Sequence, residues 1–553
     1  MSSKIVVVGG VAGGASAAAK ARRTDEFAEI TIYERGPYVS FANCGLPYYL
    51  GGTIEDRGEL FLVSPERFKS RFNINVEVNH EVLSIQRNEK TIIVKNKETG
   101  IESEVPYDKL ILAPGSFAAR PNIEGVNGER IFTLWTIQDV DELKGFIEEN
   151  KPQKAVVVGG GFVGLEAVEA LLSLGLSVQL IEATSQILSP LDQEMTIPAL
   201  NHLKNLGVDI SLGSSVKGFS DRGNTVEVTL DNGRIIDADF IVLAVGSKPE
   251  LDLPRDAGLT IGETGGVVVN ERMETIDPHI YAAGDIVESL HLVTGKKVRI
   301  PLAGPANKQG RVAGANAAGG DMTFKGVIGT FIIKVCDFTL AKTGINEKEA
   351  GEGGFDYHVS YTHSPHHATY YPGAETMTIK LIFEKRCGRL LGAQAVGPQG
   401  IDKRIDVLAT AIHGRMSVED LEDLDLAYAP PYSSPKDPAI IGGFVSANIH
   451  RGEVNVITPK ELAQAIAGGK EIQLIDVRTE SEFRGGSIPG AKLIPIDLLR
   501  GRIEELDPSK PTVLYCRVAY RSYLAYKILQ AHGFKELQNL SGGYMSWVMG
   551  TSE

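Results

Sequence analysis

The sequence predicts an α/β protein built from several domains, and three observations carry that prediction. Two stretches, opening at Ile5 and at Ala155, each run apolar strand, glycine-rich turn, helix, second strand and terminal acid. From about residue 456 onward, short apolar strands alternate with helical stretches, the order of a small parallel sheet. At 553 residues the chain is also too long for one core, so roughly three to four domains are expected.

Composition narrows the class. Hydrophobic content of 43% and charged content of 23% are those of an ordinary globular chain. The 61 glycines suit tight strand–helix turns. A net charge of −14 argues against nucleic acid as a partner, while leaving room for an anion in a locally basic pocket. Four cysteines make no disulfide framework, which fits a reducing compartment. No apolar run approaches the ~20 residues needed to span a membrane. The run Ile5–Val8 is too short for a signal peptide. A cytoplasmic protein with no membrane association is expected, and no metal site.

In the first unit, Ile5-Val6-Val7-Val8 reads as a buried strand. The turn Gly9-Gly10-Val11-Ala12-Gly13-Gly14 follows, then an alanine-rich helix to about Arg23 and a strand, Ile30 to Tyr33, ending in Glu34. Glycines there let the backbone approach a pyrophosphate at the helix N-terminus, whose amides and dipole favour anions. Glu34, with Arg35 beside it, is placed to meet ribose hydroxyls. Val11 stands where the fingerprint has its middle glycine.

The second unit carries the full G-x-G-x-x-G. Ala155–Val158 leads into Gly159-Gly160-Gly161-Phe162-Val163-Gly164, a helix through Leu174, and the strand Val178–Ile181 ending in Glu182. An acid at that place holds two ribose hydroxyls and repels a 2′-phosphate, which favours NADH over NADPH. Two Rossmann-like, dinucleotide-binding units in one chain argue for two dinucleotides, a flavin and a nicotinamide.

Next comes Thr275-Ile276-Asp277-Pro278-His279-Ile280-Tyr281-Ala282-Ala283-Gly284-Asp285. With this segment the chain resembles the flavoprotein disulfide reductases, the pyridine nucleotide-disulfide oxidoreductase family, over about residues 1–325. The resemblance implies that Asp285 contacts the flavin ribityl chain. It also implies that Leu112-Ala113-Pro114-Gly115 crosses from flavin to nicotinamide domain, and that Val245-Gly246-Ser247-Lys248-Pro249 crosses back. The β-rich stretch after 326, with Thr376–Phe383 as a strand and Asp402–His413 as a helix, resembles the family's α+β dimerisation domain. It ends in Ala427-Tyr428-Ala429-Pro430-Pro431-Tyr432, like coenzyme A-disulfide reductases and related NADH oxidases and peroxidases. Ile475-Asp476-Val477-Arg478, Val513-Leu514-Tyr515-Cys516 and Leu540-Ser541-Gly542-Gly543-Tyr544 resemble a rhodanese domain. The implied domains are 1–118 with 246–325 for FAD, 119–245 for NADH, 326–450 for dimerisation and 456–553 rhodanese-like, with a linker near Arg451–Thr458.

Cys44 lies in Ser40-Phe41-Ala42-Asn43-Cys44-Gly45-Leu46-Pro47, with no second cysteine within a few residues. It cannot form the short-range disulfide common in flavin reductases, so its partner sulfur comes from a small molecule, or it cycles alone. A helix N-terminus and the flavin are expected to lower its thiol pKa. Cys516 opens the loop Cys516-Arg517-Val518-Ala519-Tyr520-Arg521-Ser522, whose amides and arginines suit a thiolate or persulfide. Ala519 stands where the usual rhodanese loop has glycine, and Ser487 replaces a common histidine. Cys336 and Cys387 are expected to be structural.

Matching positions of coenzyme A-disulfide reductases imply a ligand channel lined by Ser16, Lys20, Arg23, Ser40, Asn43, Asn307 and Lys436. Basic groups at Lys20, Arg22, Arg23 and Arg71 suit adenosine phosphates. Asn43 also lies by the flavin. The same resemblance implies two tyrosines from the partner subunit of a homodimer near the sulfur, Tyr370 and Tyr428, with Tyr371 as competitor for Tyr370. Over nearly the whole chain the resemblance is to coenzyme A-disulfide reductase–rhodanese fusions. They imply NADH- and FAD-dependent reduction of coenzyme A persulfide, polysulfide or coenzyme A disulfide through a Cys44–coenzyme A mixed disulfide, with Cys516, Arg517 and Arg521 handling sulfane sulfur. Two other readings stay open: an NADH oxidase or peroxidase using a Cys44 sulfenic acid, and a sulfur carrier or redox sensor passing persulfide to a protein partner.

Overall fold

In a computed structural model, which describes residues 2–551, the chain divides into two compact units. Residues up to Ser185 together with Gly207–Val327 form the first. Gln186–Leu206 and everything from Ile328 onward form the second.

The first unit holds two five-stranded sheets, each parallel throughout. One runs in the order Ile280–Ala282, Lys109–Leu112, Lys4–Val8, Glu29–Glu34, Asn75–Val78. The other runs Asp209–Ser211, Ser177–Ile181, Lys154–Val158, Phe240–Leu243, Ile131–Phe132. Their central strands are continuous apolar runs because helices cover both faces. Ile5, Val7, Val156 and Val157 are wholly buried. The expected helices form as Ala12–Thr24 and Phe162–Ser173. Short strands Ser116–Ala118 and Ser247–Pro249 pair antiparallel, so the expected outbound and return crossovers run side by side.

The second unit contains a five-stranded antiparallel sheet in the order Phe331–Val335, Phe338–Gly344, Leu390–Gly397, Thr376–Glu384, Tyr357–Pro365. Helices Ile401–His413 and Pro438–His450 pack against it. A second, parallel sheet runs Val456–Ile457, Leu537–Leu540, Thr512–Tyr515, Gln473–Asp476, Lys492–Leu493. Residues 456–457, inside the expected linker, form its edge strand instead. The helix Gln193–Asn205 sides with this second unit although its neighbours in sequence belong to the nucleotide-binding half. What ties it there is Lys380, wholly buried, whose Nζ meets Asp192 at 2.7 Å and Glu194 and Glu347 at 2.5 Å each. Among the described residues no helix is long and apolar enough to cross a membrane.

Candidate functional site

The two glycine-rich turns are built for close approach. A Cβ on Gly14 would fall 1.8 Å from the Gly9 carbonyl oxygen, and one on Gly164 1.9 Å from that of Gly159. Gly9 and Gly159 also take φ of +90° and +108°, which only glycine adopts freely. The helices that follow begin after Val11 and Gly161, and neither has a side-chain cap or an acid in its first turn. No capping side chain or first-turn acid therefore competes with an anion at these helix starts. Glu34 accepts from the amides of Gly10 (2.8 Å) and Gly36 (2.9 Å), and Glu182 from Gly160 (2.6 Å) and Thr184 (2.8 Å). Each terminal acid thus also braces its own turn. Burial raises the Glu34 carboxyl above its ordinary range despite the two amides. These cradles fit FAD and a nicotinamide dinucleotide.

Asp285 accepts a hydrogen bond from the Ser116 hydroxyl at 2.8 Å, and burial pushes its carboxyl up. Ser116 immediately follows the crossover Ala113-Pro114-Gly115, so the two cofactor segments meet. Arg35 turns away to pair with Glu250 at 2.7 Å, on a surface where such a pair contributes little.

Cys44 sits in a single 3₁₀ turn, Asn43–Gly45, leading into the five-residue helix Leu46–Leu50. The loop is fixed by Ser40, held at φ +50°, whose amide donates to the Gly10 carbonyl and whose carbonyl accepts from Leu62. Asn43 donates to the Trp135 carbonyl at 3.3 Å. The expected lowering of the Cys44 thiol pKa is not what the chain produces. Desolvation, then the Glu166 carboxylate, push it up, and only its own backbone amide opposes them. The helix behind it is a bare turn or so, too short for a strong dipole. Glu166 was not singled out in the sequence. It stands two residues past Gly164, the first acid on an apolar helix face, and burial with Glu169 pushes it up to about 7. An acid this early on so apolar a helix is the available signal.

Of the expected coenzyme A contacts, Ser16 donates to Asn307 at 2.6 Å, so those two come together. Lys20 is half-buried on the first helix, and Arg23 and Arg71 are exposed. Arg22 is a correction. It is buried, and its guanidinium donates to the carbonyls of Phe72, Asp25, Glu26, Ala28 and Asn73, leaving nothing for a phosphate.

In the second unit, the hydroxyls of Tyr370 and Tyr428 hydrogen-bond at 2.8 Å, which raises the Tyr428 phenol. Tyr371 instead turns its ring edge-on to His367. Arg404, buried in the helix Ile401–His413, ties the two tyrosine loops. It donates to the His366 carbonyl (2.7 Å), Asp437 (2.8 Å) and the Ser433 hydroxyl (3.2 Å). Lys436, next in sequence to Asp437, stays exposed.

Cys516 is wholly buried at the end of Thr512–Tyr515, with the Ser522 hydroxyl donating to its Sγ at 3.6 Å. Arg521 pairs with Glu482 at 2.6 and 2.8 Å, which raises its guanidinium, with the Cys516 sulfur a lesser contributor. Arg521 holds the Glu482 carboxyl down at about 2. Arg517 is exposed. Ala519 takes φ +68° as the residue before the helix Tyr520–Ala531, the left-handed conformation a glycine would adopt without strain. Cys336 is half-buried, and Cys387 is exposed beside Glu384.

The chain matches the family model of the pyridine nucleotide-disulphide oxidoreductases over residues 3–310, that of their dimerisation domain over 330–439, and that of the rhodanese-like domain over 458–549. A curated relative, the coenzyme A disulfide reductase of Staphylococcus haemolyticus, is 37% identical over 447 residues, 81% of this chain and 100% of the relative. Among solved structures, reduced Bacillus anthracis CoADR-RHD is 43% identical at TM-score 0.96, covering 99% of this chain and 98% of that one. A NAD-dependent persulfide reductase from A. fulgidus is 42% identical at TM-score 0.92, covering 98% and 100%.

Proposed function

The chain belongs to the pyridine nucleotide-disulphide oxidoreductases and carries a rhodanese-like domain; from that premise we propose that it is a homodimeric, NADH-dependent reductase of coenzyme A persulfide and coenzyme A disulfide. The observation that carries the reading is the isolation of Cys44. It is the one cysteine of its compact unit, the other three all lying beyond Ile328. A redox thiol without a resolving partner takes its second sulfur from the substrate.

Bound FAD supplies the two-electron relay between NADH and sulfur. The turns at Gly9–Gly14 and Gly159–Gly164 hold the two pyrophosphates, and Glu34 and Glu182 the riboses. Cys44 thiolate attacks the coenzyme A sulfur of a persulfide. The S–S bond breaks, hydrosulfide leaves, and a Cys44–coenzyme A disulfide forms. Two electrons then cleave that bond, freeing coenzyme A thiol and restoring the Cys44 thiolate. The sum is persulfide, NADH and one proton in, and coenzyme A, hydrogen sulfide and NAD⁺ out. The Tyr370–Tyr428 pair donates to the leaving sulfur. Cys516 thiolate takes a sulfane sulfur from a donor persulfide or polysulfide, and coenzyme A thiolate removes it as coenzyme A persulfide. A sulfur-transfer module has no task if the substrate is a disulfide alone, which favours the persulfide.

The deciding experiment is anaerobic steady-state NADH oxidation with coenzyme A persulfide and coenzyme A disulfide at matched concentrations. A larger rate constant for persulfide with stoichiometric hydrosulfide supports the proposal. Full persulfide turnover by Cys44→Ser sinks it, and a preference for oxygen or hydrogen peroxide makes the protein an oxidase or peroxidase.

A further inference from the structure

The loop that carries Cys516 is not held by its own domain alone. Its first two carbonyls, those of Cys516 and Arg517, accept from the amides of Tyr544 (2.7 Å) and Met545 (3.1 Å), in the first turn of the helix Gly543–Thr551. That turn is squeezed. Gly542 and Gly543 take φ of +68° and +64°. A Cβ on Gly543 would lie 2.4 Å from the Cys516 carbonyl oxygen, and one on Gly542 1.9 Å from Ser546 Oγ and 2.8 Å from Tyr361 Cβ. On the far side stands the strand Tyr357–Pro365 of the antiparallel sheet. Its Tyr361 amide donates to Ser541 Oγ at 3.1 Å. Two residues on, and so on the same face, His363 is buried between Ser546 Oγ on Nε2 (2.8 Å) and Thr378 Oγ1 on Nδ1 (2.9 Å). Thr378 is its cross-strand neighbour in register.

We infer that His363 is a positioning residue for Cys516: from the dimerisation sheet it fixes Ser546, and through the helix that starts at Gly543 it sets the loop that must cradle the sulfur. The inference rests on the reading of Cys516 as the sulfur carrier. A neutral imidazole suits the post, since one ring nitrogen donates and the other accepts. Burial and the nearby Arg517 charge hold the ring neutral down to about pH 4. Tyr361, beside it, is anchored in turn. Its hydroxyl donates to Glu194 at 2.8 Å, and Lys380 lies over its ring. The seat under the loop is therefore a fixed wall of side chains. Misplacing a reacting atom by an ångström costs orders of magnitude in rate, so such a wall has a catalytic consequence without touching substrate.

The test uses the full-length holoenzyme and three variants, His363→Ala, His363→Gln and Ser546→Ala, with the double variant His363→Ala/Ser546→Ala. Two quantities are read on the Cys516 peptide by mass spectrometry: its alkylation rate with iodoacetamide, and its gain of one sulfur from sodium polysulfide. Cys44 alkylation in the same tube is the internal control. Expected in both alanine variants is a loss of roughly ten-fold or more in sulfur gain at Cys516 and a rise in its alkylation, since the wholly buried thiol opens when its seat is lost, with Cys44 unchanged and no further change in the double variant, because both act through one contact. Glutamine, which keeps a donor and an acceptor, restores most of the wild-type behaviour. The inference is overturned if Cys516 stays within about two-fold of wild type in both alanine variants, or if Cys44 alkylation rises in parallel. Should His363→Ala not fold, Ser546→Ala, which removes one hydroxyl, decides alone. If wild-type Cys516 takes no sulfur from polysulfide, the carrier reading fails, while the alkylation readout still judges the positioning.

Discussion

The Tyr370 and Tyr428 hydroxyls share a 2.8 Å hydrogen bond although 58 residues separate them in sequence. Only one of two paired phenols can point its proton at the other, so in the proposed mechanism the second keeps its proton for a leaving sulfur. Tyr428→Phe is expected to lower kcat with coenzyme A disulfide on the order of 10²-fold, with KM little changed. The double variant with Tyr370→Phe should cost little more than the single, since the pair acts as a unit. Steady-state kinetics of the single and double variants checks this.

After desolvation, Glu166 is the main influence that raises the Cys44 thiol. Its carboxyl titrates at about 7, and its negative charge raises the Cys44 thiol. Below that pH Glu166 is neutral and the thiol is released from the repulsion; above it the charge holds the thiolate back. Glu166→Gln should therefore alkylate faster at Cys44 at pH 8 than wild type. The inflection near 7 in the wild-type rate–pH curve should vanish. An unchanged curve contradicts the coupling.

Ala519→Gly relieves a left-handed alanine. The expected gain is about 1 kcal/mol in the unfolding of the rhodanese-like module, measured by urea titration followed at that module. Sulfur loading on Cys516 should survive, since the backbone already has the conformation glycine prefers.

Lys380→Met leaves Asp192, Glu194 and Glu347 facing one another without their common cation. Removing one partner of a buried ionic cluster costs about 3–5 kcal/mol, so a marked drop in the unfolding midpoint of the second unit is expected. A shift below about 1 kcal/mol would mean that the acids relax outward to water.

Glu182→Ser removes the brace on Gly160 and the carboxylate expected at the ribose. Affinity for NADH should fall about ten-fold or more, by the loss of charge-assisted hydrogen bonds, while NADPH is affected less. Stopped-flow titration with both nucleotides distinguishes the two.

What was legible in the chain was what short segments dictate by themselves. The turns at Gly9 and Gly159 could be read because a phosphate cradle, a tight turn and a following helix all fall within a few residues. The residues around Cys44 and Cys516 mark them only as loops, and their expected roles come by resemblance. Features settled across the sequence were not legible. Arg22 looks like its neighbour Arg23, and it is turned inward by the carbonyls of Asp25, Glu26 and Ala28 together with Phe72 and Asn73 about fifty residues later. Lys380 and His363 read as an ordinary strand lysine and histidine until Glu194 and Ser546 close over them from opposite directions along the chain. Tyr370 and Tyr428 come by resemblance, and Glu166 by its electrostatic effect in the folded chain. The thiol of Cys44 shows a local rule losing to its surroundings: a nearby helix start was outweighed by desolvation and an unforeseen acid.

The Arg404 knot has a further consequence. Because one guanidinium grips the His366 carbonyl, Ser433 and Asp437 together, the two tyrosine-bearing loops form a single cassette. A recombinant whose new loop lacked Ser433 or Asp437 would break the grip. Exchange between lineages is then tolerated only when the helix bearing Arg404 and both loops travel as a set.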